Sequence, residues 1–131
     1  MRRFEVADHS MEPTLRPGDY LVATAARPAR RGDIVVFEHG PGFHLVKRVA
    51  ATPGDTVRAE GDRLIVPDRD PVPIPPQAVE EWLVGDGAVF VLSDSPLRTR
   101  ADSRTFGPID AAGCLRVVFR YWPVRRIRRF R

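Results

Sequence analysis

The sequence lacks long apolar runs, and it contains one cysteine and, among its 21 basic residues, one lysine. No stretch approaches the roughly 18–20 apolar residues that a membrane-spanning helix needs. The N-terminus does not resemble an export signal, because Glu5 and Asp8 interrupt the region where an apolar run should follow the first three residues. Cys114 has no partner in the chain, which excludes an internal disulfide. We therefore expect a soluble, cytoplasmic protein.

Acidic residues are absent after Asp110, whereas seven arginines follow it. Without those arginines the chain has 14 basic and 17 acidic residues, so its net charge of +4 comes from the C-terminal end. We predict a domain over residues 1–121 and a basic, frayed tail over residues 122–131. Such a tail either keeps the protein soluble or makes peripheral contact with an anionic membrane surface. Specific nucleic-acid binding is not expected, because Pro123 and the lack of interleaved aromatic residues do not suit it.

Helical periodicity is scarce, and only the short segment Gln77–Val84 has some helical character. Short runs rich in Val, Ile, Leu and Phe instead alternate with turns that contain Gly or Pro. Four prolines within Asp68–Pro76 predict an extended loop. The pattern predicts an all-β fold built from several small, mostly antiparallel sheets. The predicted strands are Tyr20–Thr24, Asp33–Glu38, His44–Ala50, Thr56–Ala59, Arg63–Val66, Ala88–Leu92 and Leu115–Tyr121.

The single lysine, Lys47, is a candidate for chemistry. Arginine keeps its proton at any workable pH, whereas a desolvated lysine can release it. In its predicted strand, Lys47 shares a face with Leu45 and Val49, and such an apolar setting lowers the pKa of a lysine. Ser10 lies in a tight loop before the strand Tyr20–Thr24, and a base of this kind would make its hydroxyl a nucleophile. The alternative is a solvated lysine and an inert serine.

A Ser-His-Asp triad and a metal site have less support from the residues than a Ser10–Lys47 pair. His44 lies on the same predicted strand as Lys47 and could serve Ser10 in a Ser-His-Asp triad. Nothing near Ser10, however, resembles the Gly-x-Ser-x-Gly turn of such enzymes. The three histidines and Cys114 do not have the spacing of a metal site, so we expect neither a metal nor another cofactor.

Four motifs, in this order along the chain, resemble those of the signal peptidase I family. The first carries Ser10, the second begins at Arg31, the third carries Lys47, and the fourth has two parts. They are Ser10-Met11-Glu12-Pro13-Thr14-Leu15, Arg31-Gly32-Asp33-Ile34-Val35-Val36-Phe37, Val46-Lys47-Arg48-Val49 followed by Pro53-Gly54-Asp55, and Ser93-Asp94-Ser95 followed by Asp102-Ser103-Arg104-Thr105-Phe106-Gly107-Pro108.

The resemblance implies a serine endopeptidase with a Ser/Lys dyad and the all-β catalytic core that this family shares with LexA-like self-cleaving repressors. It implies that Ser10 is the nucleophile, that the Ser10 backbone N–H donates to the oxyanion, and that Lys47 is the general base. It also implies that Asp102 and Arg104 form an ion pair that holds the last motif against the site.

The sequence departs from the family pattern at three places. Asp8 stands where many members have Ser or Gly, and we expect its carboxylate to point away from the oxyanion or to be protonated. Ser93-Asp94-Ser95 replaces the usual Gly-Asp-Asn. The serine that often orients the lysine amine has no clean match, and Thr99 is the candidate for that role.

The expected partner is a protein substrate that binds in extended form along a sheet edge. The membrane span that precedes the nucleophile in this family is missing before Ser10, and the chain has an arginine-rich end around Arg120-Tyr121-Trp122-Pro123. Both features resemble the maturation protease of nickel-type superoxide dismutase, so we expect removal of an N-terminal propeptide from that dismutase. The nickel would belong to the substrate. The alternatives are a signal peptidase I-like protease for exported proteins and a non-catalytic basic binding module.

Overall fold

A computed structural model describes residues 1–25 and 27–131 of the chain. Over these residues the elements are almost entirely strands, joined by one single-turn helix, α1 (Ser103–Phe106), and two short 3₁₀ turns (Ala111–Gly113 and Val124–Arg126). None of the described helices is long and apolar enough to cross a bilayer. The strands are β1 (Arg2–Glu5), β2 (Tyr20–Thr24), β3 (Ile34–Glu38), β4 (His44–Ala51), β5 (Thr56–Glu60), β6 (Arg63–Ile65), β7 (Val72–Pro73), β8 (Glu81–Leu83), β9 (Ala88–Leu92), β10 (Ile109–Asp110), β11 (Leu115–Trp122) and β12 (Arg128–Arg129).

The strands form two antiparallel sheets. The larger sheet has the order β1-β2-β11-β3-β4-β9-β10, with β12 paired to β11, and the smaller has the order β7-β6-β5-β8. Strand β4 lies between β3, which pairs along Ile34–Glu38, and β9, which pairs only with Arg48–Ala51. The all-β, antiparallel fold predicted from the sequence is confirmed.

The larger sheet is covered by apolar residues on both faces. On β3, Ile34 and Val36 pack with residues of the loop between β1 and β2, whereas Val35 and Phe37 pack with β4 and β9 on the opposite face. Burying each such side chain contributes about 1.5–3 kcal/mol. A third apolar cluster joins the smaller sheet to Phe90 and Leu92 of β9. Because both faces of β3 and the Leu45–Val49 face of β4 are buried, a polar side chain there is removed from water unless it reaches an edge.

Two segments of the smaller sheet differ from the prediction. The helical character expected over Gln77–Val84 is wrong, because this segment contains β8, which pairs with β5 from Thr56 to Arg58. The ladder hydrogen bonds to β5 stabilise this short segment more than the hydrogen bonds of an isolated helical turn would. Within the predicted loop Asp68–Pro76, Val72–Pro73 pairs with β6 as an edge strand, a position that tolerates proline.

The expectation that the tail frays is also wrong. Strand β11 runs to Trp122, and β12 pairs Arg128 and Arg129 with Arg120 and Phe119 of β11. The guanidinium of Arg126 lies 3.2 Å from Asp19, and that carboxylate is almost completely buried. A buried carboxylate needs a cationic or hydrogen-bonding partner, and this requirement holds the tail on the body of the protein. The domain boundary at residue 121 stays a prediction.

Candidate active site

Ser10 lies in a closed loop between β1 and β2. The loop is tied at its base, where Val6 N–H donates to Asp19 O at 2.9 Å and Gly18 N–H donates to Val6 O at 2.9 Å. Gly18 has a φ of 89°, which a residue with a side chain rarely adopts. Inside the loop, Met11 and Leu15 are buried in the core below the sheet. These anchors fix Ser10, which is only 5% exposed.

The loop is also tied to the segment that follows β9. Ser95 N–H donates to Ser10 O at 2.9 Å, and the Thr14 hydroxyl donates to Asp94 at 2.8 Å. Asp94 accepts two further hydrogen bonds from Arg48, at 2.8 and 2.7 Å, and this pairing raises the pKa of Arg48. Arg48 belongs to β4, so the contacts fix the position of the Ser10 loop relative to the strand that carries Lys47.

Lys47 lies on β4 directly opposite Val35 of β3. Alternation along the strand places it on the same face as Leu45 and Val49, as the sequence predicted, and it is only 1% exposed. Burial lowers the pKa of its amine. The carboxylates of Asp8 and Asp102 oppose this effect, and the charge of Arg104 adds to it.

The carboxylate of Asp8 interacts with both candidate residues, through hydrogen bonds with Ser10 and through its charge with Lys47. Its Oδ1 atom accepts hydrogen bonds from Ser10 N–H at 3.0 Å and from the Ser10 hydroxyl at 2.8 Å, and its charge raises the pKa of Lys47. Of the two expected alternatives, the one in which Asp8 points away from the oxyanion position is therefore wrong, and the other stays a prediction. A short acidic side chain two residues before a backbone N–H readily closes such a turn, and sequence reasoning did not consider this local contact.

Asp102 and Arg104 form the predicted ion pair, and it is buried. The Asp102 and Arg104 side chains are 0% and 2% exposed, and Nε and a terminal nitrogen of Arg104 each lie 2.9 Å from an Asp102 oxygen. Asp102 also accepts from Ser93 N–H at 3.0 Å and caps α1 through Arg104 N–H. Arg104 donates to Pro73 O at 2.9 Å, so the pair links α1 to the smaller sheet.

Thr99 does not take the role expected of it. Its hydroxyl accepts from Ala101 N–H at 3.0 Å within an exposed turn, and its carbonyl accepts from Arg104 at 2.6 Å. A fully buried hydroxyl of the fourth motif belongs instead to Ser93, which is 0% exposed.

The cysteine and two of the histidines, among them the rival base His44, have surroundings that do not suit catalysis with Ser10. Burial, with a further contribution from Asp110, raises the pKa of the Cys114 thiol to about 11, so it stays protonated at neutral pH. His9 lies 2.7 Å from Glu12, and the ring of His44 lies 5.3 Å from that of Phe4. His44 is on the opposite face of β4 from Lys47. A Ser-His pairing therefore has no geometric support.

A cleft of about 580 Å³ opens on the Arg48 side of β4, between Arg31 and Asp94, and neither Ser10 nor Lys47 lines it. Across residues 1–25 and 27–131, no group of three or more His, Cys, Asp or Glu side chains is arranged to hold a metal ion.

Comparisons with known proteins match nearly the whole chain. The family model described as "Signal peptidase, peptidase S26" matches residues 1–122. Signal peptidase I of Bacillus caldolyticus is 32% identical over 147 residues, an alignment that covers 94% of this chain and 80% of that protein. Thylakoidal processing peptidase 1 of Arabidopsis thaliana is 31% identical over 90% of this chain and 41% of its own length.

Other matches are more partial. Signal peptidase I of Streptococcus pneumoniae TIGR4 is 44% identical over 66 residues, and the matched part spans 32% of that protein. The crystal structure of a signal peptidase I from Enterococcus faecalis V583 superposes with a TM-score of 0.50 at 23% identity. The superposition covers 70% of this chain and 97% of that chain, and it supports the similarity of the fold.

Proposed function

Because the chain belongs to the signal peptidase family, peptidase S26, we propose that it is a serine endopeptidase with Ser10 as nucleophile and Lys47 as general base. One observation carries the proposal: the Ser10 hydroxyl donates to the carboxylate whose charge also acts on the amine of Lys47. Both side chains are buried, and burial favours the neutral amine that a base requires.

The reaction would proceed through an acyl-enzyme. The neutral Lys47 amine takes the proton from the Ser10 hydroxyl as Oγ attacks the scissile carbonyl, and the resulting ammonium returns that proton to the leaving amine. Water, deprotonated by the same amine, then attacks the ester, and the proton returns to Ser10 as the new carboxyl terminus leaves. No metal or cofactor enters these steps.

Asp8 must release Ser10 for this chemistry to occur. Its carboxylate holds both the Ser10 hydroxyl and the Ser10 backbone N–H, which the proposal assigns to the oxyanion. A substrate carbonyl that enters the site would replace Asp8 at this N–H, since a negative charge beside the developing oxyanion opposes its formation.

Strand β4 offers an edge where an extended substrate could bind. Strand β9 pairs with β4 from Arg48 onward, and no other strand of the described chain pairs with that side of His44–Lys47. A peptide added there would gain main-chain hydrogen bonds within reach of Lys47. This is the recognition mode expected from the sequence.

The substrate class we favour is the signal peptide of an exported protein, because the relatives that match this chain include several named signal peptidase I. The propeptide of nickel-type superoxide dismutase is the narrower alternative. Its support is the arginine-rich sequence around Arg120-Tyr121-Trp122-Pro123. The cytoplasmic location expected from the sequence stays a prediction.

The test is cleavage of both substrate classes, a preprotein and a dismutase precursor, followed by mass spectrometry of the new N-terminus. We expect Ser10→Ala and Lys47→Arg to abolish cleavage although both variants fold, because arginine keeps its proton. Ser103→Ala, which removes a buried hydroxyl that accepts a hydrogen bond from Val91 N–H, should retain it. Cleavage by Ser10→Ala at the wild-type rate would remove Ser10 from the mechanism, and the preferred precursor decides between the substrates.

We also propose that the C-terminal end contacts an anionic membrane surface. Trp122, Val124 and Ile127 are at least half exposed, and they lie beside exposed arginines of residues 125–131. Exposed apolar and cationic side chains together suit the interface of an anionic bilayer.

Sedimentation with vesicles tests this contact. The protein should sediment with vesicles that contain phosphatidylglycerol but not with pure phosphatidylcholine, and salt should weaken the binding. Equal binding to both vesicle types would contradict the proposal. If the wild-type protein cleaves neither precursor and Ser10→Ala still binds the vesicles strongly, the non-catalytic binding module is favoured.

A further inference from the structure

The hydroxyl of Ser93 is a buried polar group without a partner. The residue is 0% exposed, and its Oγ atom finds no hydrogen-bond partner in the part of the chain that the structure describes. Leaving a buried hydroxyl unpaired costs about 1–3 kcal/mol. A functional role is one reason why a folded protein keeps a buried polar atom without a partner.

The register of the sheet places Ser93 beside Lys47. Strands β4 and β9 pair Val49 with Val91 and Arg48 with Leu92. Continuing this antiparallel register by one residue sets Lys47 opposite Ser93, so the two side chains leave the same face of the sheet. Residues directly opposite each other have Cβ atoms about 4.5–5.5 Å apart, which is within reach of a lysine side chain.

The backbone of Ser93 is fixed by a buried group. Its N–H donates to Asp102 at 3.0 Å, and Val91 N–H donates to the Ser103 hydroxyl at 2.8 Å. The outer edge of β9 is therefore held by α1, and the Ser93 side chain is kept on the Lys47 face. The charged groups that act on the amine are Asp8 from the Ser10 loop and Asp102 and Arg104 from α1.

We propose that Ser93 is the positioning residue for Lys47. Its Oγ accepts a hydrogen bond from the Lys47 amine and thereby directs the nitrogen lone pair toward the hydroxyl of Ser10. This inference rests on the proposed function, since it assigns to Lys47 the role of base. It gives Ser93 the role that the sequence assigned to Thr99, whose hydroxyl is engaged in its own turn.

The contact is tested first without any activity measurement. Lys47 is the only lysine, so ¹³C-labelled lysine gives a single side-chain Cε resonance whose titration reports the pKa of this amine. A hydroxyl that accepts from the amine stabilises the ammonium more than the neutral form. Ser93→Ala should therefore lower the pKa of Lys47 by about one pH unit.

Ser103→Ala is the matched control, because it removes another fully buried serine hydroxyl beside β9. It should lower the melting temperature and leave the Lys47 titration unchanged. Ser93→Ala should not lower the melting temperature, since its hydroxyl has no partner other than the amine. Should that variant fail to fold, Ser93→Gly is titrated in its place. An unchanged Lys47 titration in the folded Ser93 variant overturns the proposal.

Kinetics then separate this proposal from the proposed function. In Ser93→Ala, kcat should fall by about 10- to 100-fold with KM unchanged, and the acidic limb of the pH profile should shift down with the pKa of Lys47. If Ser10→Ala is inactive while Ser93→Ala keeps the wild-type kcat and titration, only the positioning role fails. If Ser10→Ala and Lys47→Met both cleave normally, the proposed function fails, and the titration still decides whether Ser93 contacts Lys47.

Discussion

The Lys47 side chain is almost completely buried, and this burial lowers the pKa of its amine. The native state therefore binds fewer protons than the unfolded state at pH values between the folded pKa and about 10.4, the value of an exposed lysine. The contribution of this group to stability decreases as the pH falls through that window and is constant below it. The residue that would supply the base thus makes the fold less stable at neutral pH.

Lys47→Met should accordingly stabilise the protein while abolishing cleavage. Methionine fills a similar volume without a charge to desolvate. We expect the melting temperature at pH 7 to rise by about 3 °C or more, with the difference from wild type shrinking as the pH approaches 10. Thermal melts of the two proteins between pH 6 and pH 10 measure this. A lower melting temperature for Lys47→Met at pH 7 would show that the ammonium is well paired.

Asp8→Asn should increase activity. Loss of the charge removes repulsion of the oxyanion, and the amide could donate a hydrogen bond to it, so kcat/KM should rise by about 10-fold. Asp8 raises the pKa of Lys47, so its replacement should lower that pKa further and move the acidic limb of the pH profile to lower pH. The exposed carboxylate of Asp70 offers the control Asp70→Asn. A fall in kcat/KM for Asp8→Asn would instead give Asp8 a direct catalytic role.

Among the elements, α1 is a single turn that links β9 to the smaller sheet. This single turn brings Asp102 and Arg104 together, and it contacts the outer edge of β9 and the carbonyl of Pro73 in the smaller sheet. Breaking a buried ion pair leaves an uncompensated charge, which is far more costly than losing an exposed pair.

Arg104→Met should therefore destabilise the protein by about 3–5 kcal/mol, because the Asp102 carboxylate stays buried without its cation. The exposed pair Arg58–Glu60 provides the control, since Arg58→Met should cost no more than about 1 kcal/mol. Chemical denaturation of both variants gives the comparison. Equal losses in the two variants would mean that Asp102 is satisfied by its backbone hydrogen bonds alone.

Most strands could be predicted from the sequence, because alternating burial and Gly- or Pro-containing turns are local signals. Strand β4 was predicted one residue short, as His44–Ala50, and Lys47 was placed on the correct face. The missed elements β1, β7, β8, β10 and β12 have two to four residues, too few for a clear alternating pattern, and pairing with a neighbouring strand creates them. The one turn of α1 was missed because its cap, Asp102, reads locally as part of a loop.

Across the whole molecule, the two ends of the chain meet at Asp19. This buried carboxylate accepts from Arg16 N–H at 2.9 Å and lies 3.4 Å from Arg120 and 3.2 Å from Arg126. Arg120 also donates to Thr14 O at 2.6 Å in the loop that carries Ser10. The basic end is therefore part of the support of the candidate site, whereas the sequence alone predicts a detached tail.

Deleting residues 125–131 should lower the melting temperature by about 5 °C, because Asp19 loses Arg126 and β11 loses its pairing with β12. Peptide hydrolysis by the folded fraction at low temperature should stay within a few-fold of wild type, since Arg120 still holds Thr14. Thermal melts and initial rates measured on the same preparation test both statements. An unchanged melting temperature would mean that the tail contributes nothing to the fold.

The sequence by itself determined the family, the all-β class and the two residues proposed for catalysis, because these depend on short motifs and on the alternation of a strand. Tertiary structure decided what surrounds them. It buried the Asp102–Arg104 pair, brought Arg126 to Asp19 and set the pairing of β4 with β9 whose register, continued by one residue, leads from Lys47 to Ser93. Such contacts join residues through strand register and burial, and neither property is encoded in a local stretch of the chain.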